Sequence, residues 1–347
     1  LPDSADAAFS CEWGGDAGEG GSGMTIRWRQ HLRCDGSTYY FAFCAPLGYT
    51  ETRSIISQIE QSFSGDAPGA YALKCISDIL QDDWVPSPGT DIYFHRQEFH
   101  RTLENRVVDL LTITTDSCNS GDLECVEDYP HELQLSGDSP RYFAHRPIVF
   151  ISARVHPGET PAQFTFFGAL RFLVSNDPRA VQLRNRFTFK LIPILNPDGV
   201  VRGHYRTNSR GLNLNRYYDN PTREEHESVW ATKSVLSHWA SQRRLLFYLD
   251  LHGHATKRGC FFLANKLTGM SQALNAGYAR LVQINSPYFD MDHCDFAESS
   301  AALDKGRDGF SKEGSGRFSI YRDCDLCHAY TLECNYHSGR LNKAVTS

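Results

Sequence analysis

The sequence lacks the features of membrane and secreted proteins. No apolar run reaches about 18 residues, so no membrane span is predicted. The first residues carry neither a basic region nor an apolar segment, so no signal peptide is predicted either. No Asn-x-Ser/Thr acceptor has a permitted middle residue, and the 11 cysteines are an odd number, with Cys44, Cys260 and Cys334 inside apolar runs. We therefore expect a reduced, cytosolic protein.

The chain also lacks a strong charge of either sign. Its formal net charge is −6 over 347 residues. A balance this mild argues against nucleic acid and against an anionic membrane as partners. The length is sufficient for one large α/β domain with an ample core and a small additional one.

The most informative stretch is a short loop between a predicted strand and a predicted helix. The apolar run 148–151 predicts a buried strand, and apolar residues at helical spacing predict a helix over 161–173. Thr160 is placed to cap that helix, and the proline that follows suits its first turn. His156 and Glu159 therefore lie on a tight loop at the carboxyl end of a strand, where open α/β sheets form their sites. The sequence predicts two ligands of a zinc ion here.

A third ligand and a general base are expected from other strand ends. Zinc in hydrolases takes three protein ligands and keeps a fourth position for water. His252 follows the apolar run 245–251, so it occupies the same structural position at the end of its own strand. Glu333 lies on the last apolar strand and is the best-placed carboxylate to accept a proton from the water. Burial there is expected to raise its pKa.

Simpler explanations compete with each of these assignments. His-x-x-Glu is a common pattern, and a second copy at residues 95–98 follows no apolar strand end, so we interpret it as surface. His254 is interpreted as a residue that supports the site or bonds to backbone. Cys324 and Cys327 have no second Cys/His pair at zinc-finger spacing, which favours two ordinary thiols.

A basic cluster follows the sequence Asn-Pro-Asp-Gly at 196–199, which predicts a turn. Between Val201 and Tyr217 there are four arginines and no acidic residue. The guanidinium group of an arginine can donate two parallel hydrogen bonds to a carboxylate, and the side-chain amide of Asn215 beside Arg216 could donate a further one. A solvated basic loop is the alternative, although the position next to a predicted metal site favours an anionic substrate.

From residue 148 onward, predicted strands and helices alternate. The fold class is therefore α/β, with a mixed, mostly parallel sheet and helices on both faces. Residues 1–47 are interpreted as a short β-rich remnant of a separate module, and residues 48–347 as the main domain. The other predicted elements are strands at 24–32, 38–44, 107–114, 187–195, 259–263 and 329–334, helices at 50–63, 71–80 and 224–242, and a polar insertion at 116–141.

Five ordered motifs resemble the metallocarboxypeptidases. They are His-Pro-Gly-Glu-Thr from 156, Asn-Pro-Asp-Gly-Val from 196, Asn-Leu-Asn-Arg from 213, Asp-Leu-His-Gly-His from 250 and Tyr-Thr-Leu-Glu from 330. The sequence looks most like the cytosolic carboxypeptidase (tubulin deglutamylase) subgroup, and the stretches 202–206, 257–261 and 311–317 look closest to its type-five, branch-point deglutamylase branch. The resemblance covers roughly residues 39–340.

The resemblance implies a role for each matching residue. His156, Glu159 and His252 become the ligands of one Zn²⁺ ion, and Glu333 becomes the general base. Arg206 becomes the group that stabilises the oxyanion, while Asn215 and Arg216 hold the terminal carboxylate of the substrate. An amino-terminal β-sandwich precedes the catalytic domain in this subgroup, and residues 1–47 would be its end. The tyrosine that covers the substrate in pancreatic-type relatives has no counterpart, because Phe310 falls near its expected position.

The same resemblance implies a preference for glutamate. Arg317 falls where the family has the floor of its specificity pocket, and Lys312 and Lys257 are further candidates for that contact. We expect Arg317 and Glu333 to approach the pocket from adjacent strands. The implied substrates are polyglutamylated tubulin tails and other glutamate-rich tails, and the implied location is the cytoplasm, with microtubules or cilia.

Two alternative functions remain open at this stage. The first is an amidohydrolase that cleaves small N-acyl amino acids and ignores peptides. The second is a non-catalytic reader of acidic tails that keeps the basic pocket, although the presence of Glu333 speaks against it. The sequence does not decide between α-linked chains and γ-linked branch glutamates.

Overall fold

The structure is a computed structural model, and it describes most of the chain between residues 44 and 336. The described residues are 8–13, 24–29, 36, 38–42, 44–63, 91–116, 129–130, 132–133, 139–296 and 311–336. The predicted helix at 71–80, most of the insertion at 116–141, and Phe310 lie outside them. By its contacts the chain divides into two compact units, 1–43 and 44–347.

The first unit contains a β-hairpin. Strands β1 (Ala8–Trp13) and β2 (Met24–Arg29) pair antiparallel, with Ala8 opposite Arg29 and Trp13 opposite Met24. The prediction of a strand at 38–44 was wrong, because residues 38–42 and Cys44 are irregular. Their aromatic residues favour a strand locally, but Tyr40 and Phe41 are exposed, so this segment has no buried sheet face. That residues 1–47 are the remnant of a module stays a prediction.

The second unit is built on a seven-stranded mixed sheet. Its order is β3-β4-β6-β5-β7-β9-β8. The four central strands β6, β5, β7 and β9 are parallel to one another, whereas the pairs β3–β4, β4–β6 and β8–β9 are antiparallel. The strands are β3 (Ile92–Arg101), β4 (Val107–Thr115), β5 (Ile148–Ala153), β6 (Thr188–Ile192), β7 (Leu245–His254), β8 (Cys260–Leu263) and β9 (Ala329–Asn335).

Helices cover both faces of this sheet, which confirms the predicted fold class. On one face, Trp239 and Ile320 pack against Phe150 and Tyr248 of the central strands. On the other, Ile56 and Phe166 pack against residues such as Ile151. The helices are α1 (Tyr49–Phe63), α2 (Thr160–Leu173), α3 (Pro178–Arg186), α4 (Pro197–Arg202), α5 (Glu227–Ser241), α6 (Gly269–Asn285) and α7 (Gly316–Cys324).

Two local predictions were wrong for reasons that concern the site. Thr160 is the first residue of α2 rather than its cap, and Glu159 occupies the cap position without a capping hydrogen bond. The Glu159 carboxylate faces away because it bonds to side chains of the site instead. Residues 196–199 begin the short helix α4 rather than form a turn, because Asn196 Oδ1 accepts the Gly199 N–H at 3.0 Å and caps the helix.

The edge of the sheet is fastened to α1 through one buried carboxylate. Asp109 accepts from Arg53 Nε at 2.8 Å and from Arg96 Nε at 2.9 Å. We expect Asp109→Ala to lower the free energy of unfolding by about 2–4 kcal/mol, since it leaves the largely buried Arg96 without its main counter-charge. Urea titration measures this. Glu60→Gln is the control, because the Arg96–Glu60 contact is longer, 3.5 Å, and Glu60 is partly exposed. If Glu60→Gln lowers the free energy of unfolding as much as Asp109→Ala does, the prediction is wrong.

Two further expectations can be compared with the described residues. No helix in that part of the chain is long and apolar enough to cross a bilayer. Six cysteines with described side chains are free thiols, namely Cys44, Cys260, Cys294, Cys324, Cys327 and Cys334. That Cys324 and Cys327 are two ordinary thiols stays a prediction.

Candidate active site

The site lies at the carboxyl ends of the parallel strands, as predicted. The loop after β5 is held by Arg154, a buried residue with a positive φ of 60°, whose Nε donates to the Pro157 carbonyl oxygen at 2.9 Å. Gly158 donates its N–H to the Tyr205 carbonyl oxygen at 2.8 Å. A Cβ at Gly158 would lie 2.7 Å from the Tyr205 ring, so only glycine permits this approach. The loop can therefore present His156 and Glu159 on one side.

Three predicted metal ligands lie together and are buried. Glu159 Oε1 is 2.9 Å from His156 Nδ1, and its Oε2 is 3.0 Å from His252 Nδ1. The Gly253 N–H also donates to Glu159 Oε2 at 2.9 Å. The three side chains are 3–6% exposed. The loop after β5 and the end of β7 therefore meet at one point, although they are far apart in sequence.

The other nitrogen of each imidazole is held by a residue that sequence analysis missed. His156 Nε2 is 3.0 Å from Asn213 Oδ1, and His252 Nε2 is 2.8 Å from Asp250 Oδ2. Both partners accept, so each ring donates from Nε2, and when a ring is neutral its lone pair is on Nδ1. Asp250 could have been found from its spacing, because residues two apart on a strand face the same side.

The titration of the three ligands reflects their mutual contacts. Burial lowers the pKa of His156. Burial also opposes protonation of His252, but the carboxylates of Asp250 and Glu159 raise its pKa well above the usual value. Although burial favours the neutral acid, His156 and His252 hold the pKa of Glu159 well below its usual value. Glu159 is therefore a carboxylate at neutral pH.

This donor set fits a catalytic zinc ion. Two imidazole nitrogens and one carboxylate oxygen lie within 4.8 Å of one another. The combination of two histidines and a glutamate is one of the known ligand sets of zinc hydrolases, with the fourth position left for water or substrate. No other group of three such side chains occurs in the described residues. The second His-x-x-Glu copy lies within strand β3, where His95 and Glu98 are partly exposed, and it is outside this cluster.

Glu333 is next to this centre. It lies opposite His252 in the parallel pairing of β7 and β9. Burial, together with the charges of Glu159 and Asp250, raises the pKa of Glu333 to about 8, although His252 and Arg206 act in the opposite direction. A carboxylate with a raised pKa suits a proton acceptor near neutral pH.

The predicted anion-binding residues also face this centre. Arg206 Nη1 is 3.7 Å from Glu159 Oε1 and 3.5 Å from His156 Nδ1. Asn215 Oδ1 accepts the Gly316 N–H at 2.9 Å, which directs the Asn215 NH₂ group toward His252. Arg216 Nη1 donates to the Asn215 carbonyl oxygen at 2.8 Å. All three residues line the same cavity as the ligand cluster.

The structure places Arg317 on a different element from the predicted one. It lies in the first turn of α7, so the expectation that it and Glu333 come from adjacent strands was wrong. Its side chain is nevertheless buried and reaches the sheet, where Nη1 donates to the Ala264 carbonyl oxygen and to Asn265 Oδ1, each at 2.6 Å. Lys312 lies in the preceding 3₁₀ turn, Lys312–Gly314.

One cavity of about 700 Å³ is lined by all the predicted site residues except Lys257. Sequence analysis missed part of its wall, including Tyr205, whose side chain is about half exposed. His254 also lines the cavity, and its Nδ1 accepts from the Thr256 and Lys257 N–H groups at 3.3 and 3.1 Å, which confirms its interpretation as a backbone-bonding residue. The full lining is His156, Glu159, Tyr205, Arg206, Asn215, Arg216, His252, Gly253, His254, Ala255, Thr256, Leu263, Lys312, Ser315, Arg317, Thr331 and Glu333.

Comparison with known proteins agrees with this geometry. A family model described as zinc carboxypeptidase matches residues 92–261, which include all three candidate ligands. Glu333 and Arg317 lie beyond the matched segment. Together with the sequence similarity below, this match assigns the segment that carries the three ligands to the zinc carboxypeptidase family.

Within the family, the similarity is to cytosolic carboxypeptidases. The chain is 35% identical to cytosolic carboxypeptidase-like protein 5 of Danio rerio over 88% of this chain and 44% of the relative. The Homo sapiens protein of that name is also 35% identical, over 89% of this chain and 43% of its own length. Cytosolic carboxypeptidase 1 of Mus musculus is 33% identical over 72% of this chain. The chain spans less than half the length of these relatives.

Solved structures share the fold. A metallo-carboxypeptidase from Burkholderia cenocepacia superposes with a TM-score of 0.55 and 24% identity, covering 77% of this chain and 61% of that chain. A metallo-carboxypeptidase from Pseudomonas aeruginosa gives a TM-score of 0.53 at 18% identity, covering 77% and 60%. At this identity the likeness concerns the fold alone.

Proposed function

We propose that the chain is a zinc-dependent carboxypeptidase that removes glutamate from polyglutamylated tails, such as those of tubulin. The observation that carries this proposal is the cavity itself, where a two-histidine, one-glutamate cluster lies among four basic side chains. These are Arg206, Arg216, Lys312 and Arg317. The chain has a net charge of −6, so four basic side chains around one cavity are a local exception to its overall charge. An anionic substrate explains it.

Each residue is assigned one task. His156, Glu159 and His252 would hold one zinc ion, which supplies Lewis-acid polarisation of the scissile carbonyl and acidification of a water molecule. Glu333 accepts the proton of that water and passes it to the leaving nitrogen. Arg206, already near the ligand cluster, donates to the oxygen on which negative charge develops.

The remaining basic groups hold the substrate. Asn215 and Arg216 donate to the terminal carboxylate, which makes the enzyme an exopeptidase. Arg317 and Lys312 bind the carboxylate of the glutamate side chain. Similarity to proteins named cytosolic carboxypeptidase-like protein 5 supports a carboxypeptidase in the cytoplasm. The proposal further includes a glutamate-rich tail as substrate, a γ-linked branch-point glutamate among its targets, and a location near microtubules or cilia.

The function is tested by mass spectrometry of defined peptides. We expect the zinc-loaded chain to release glutamate from a branched and a linear polyglutamyl peptide, and to leave the same peptides untouched when their terminal carboxylates are amidated. A zinc chelator should abolish the release, and added zinc should restore it. If no peptide loses glutamate but an N-acyl aspartate is cleaved, the protein is an amidohydrolase; if peptides bind without any cleavage, it is a reader of acidic tails.

A further inference from the structure

A buried serine on the neighbouring strand contacts the partner of a metal ligand. Ser152 and Asp250 lie opposite each other in the parallel pairing of β5 and β7. Ser152 is fully buried, and its Oγ donates to Asp250 Oδ1 at 2.8 Å. The other carboxylate oxygen, Oδ2, is 2.8 Å from His252 Nε2. The three side chains therefore form a row that ends at the candidate zinc site.

The direction of the hydrogen bonds along this row is fixed. An ionised carboxylate can only accept, so Ser152 and His252 must both donate to Asp250. A donor on each oxygen fixes the rotation of the carboxylate about its terminal torsion, which is otherwise broad. The fixed carboxylate in turn holds the His252 proton on Nε2 and sets the orientation of the ring. The other ring nitrogen, Nδ1, then faces Glu159 and the cluster.

We propose that Ser152 is a positioning residue for the metal ion, acting through Asp250 on His252. This inference rests on the metal site of the proposed function. It differs from a purely structural role, in which the Ser152 hydroxyl group would only satisfy a buried carboxylate. In that case Ser152 would contribute to folding stability and have no effect on metal affinity.

Zinc affinity of the whole chain separates the two roles. Partners of metal ligands typically change metal affinity by 10- to 100-fold when removed. Since Ser152 acts through an intermediate residue, we expect Ser152→Ala to weaken zinc binding by roughly 10-fold, measured by competition with a chelating dye. Ser152→Thr keeps the hydroxyl group and should restore most of the affinity. Ser62→Ala is the matched control, because Ser62 is also buried but donates to the Ile59 carbonyl oxygen and does not line the cavity.

A double-mutant cycle tests the route through Asp250. With Asp250→Ala there is no carboxylate for Ser152 to orient, so adding Ser152→Ala should weaken zinc binding no further. The absorption spectrum of bound Co²⁺ gives a second measure, because a less constrained His252 should change the ligand field in Ser152→Ala and leave it unchanged in Ser62→Ala.

Each result supports or overturns the inference. Equal zinc affinity in Ser152→Ala and the parent chain overturns it, as does an affinity loss of the same size with and without the Asp250 side chain. Loss of thermal stability without loss of zinc affinity assigns Ser152 a structural role and also overturns it. If the parent chain itself fails to bind zinc, the proposed function fails instead, so the two failures are distinguishable.

Discussion

Replacing Glu333 with glutamine is expected to reduce turnover of a glutamate-ending peptide by roughly 10³-fold, because general acid–base groups contribute about 10²- to 10⁴-fold. The substitution preserves the shape of the side chain but removes the oxygen pair that accepts the proton. Zinc content should stay unchanged, since Glu333 is not one of the three clustered ligands. Steady-state kinetics and metal analysis of the same sample measure both effects.

The pH dependence provides an independent check on this role. The carboxylate is the active form, so kcat/KM should fall as the pH decreases through the pKa of Glu333 and reach a plateau above it. Burial raises that pKa to about 8. A bound divalent ion favours the carboxylate, so the midpoint of the acid limb is expected below 8. The residual activity of Glu333→Gln should lack this limb.

A matched control is available within the chain. Glu98 belongs to the other His-x-x-Glu copy, lies on the edge strand β3 and does not line the cavity. Glu98→Gln should therefore leave kcat/KM and its pH profile unchanged. If Glu333→Gln keeps a tenth or more of the parent turnover with full zinc content, Glu333 is not the general base.

The second large effect is expected at Arg317 and concerns specificity. Removing its charge should lower kcat/KM for peptides that end in glutamate by about 100-fold or more, since a charge-assisted contact is worth a few kcal/mol. Peptides that end in glutamine should lose much less. The ratio of the two kcat/KM values is the measurement, because it cancels general effects on catalysis.

The choice of variant matters because Arg317 is buried. Arg317→Met keeps most of the side-chain volume and is preferable to alanine, while zinc content and thermal unfolding show whether the fold is intact. Arg322→Met is the control on the same helix, because Arg322 is partly exposed and paired with Asp323. An unchanged ratio in a folded, zinc-loaded Arg317→Met would remove Arg317 from the specificity pocket.

Local sequence patterns predicted the strands and the loop that carry the site. The spacing of apolar residues was sufficient to predict β5 and α2, because both elements are long enough to show a clear apolar pattern. The strand prediction at 38–44 failed because a run of aromatic residues forms a strand only where a sheet offers it a buried face. The prediction that Thr160 caps α2 failed for a similar reason, since Glu159 occupies the cap position and its carboxylate contacts His252, which is 93 residues away in sequence.

Local patterns along the chain were sufficient to predict the α/β class, the ligand motif at 156–159 and the resemblance to a family. These follow from local periodicity and from residues whose chemistry is recognisable in order along the chain. Only the tertiary structure decided that Asn213 and Asp250 hold the two imidazoles, that Arg317 enters the cavity from a helix, and that Ser152 lies at the end of a buried row. The physical reason is that a hydrogen bond of about 3 Å between distant segments depends on sheet order and register, which are set by the packing of the whole core.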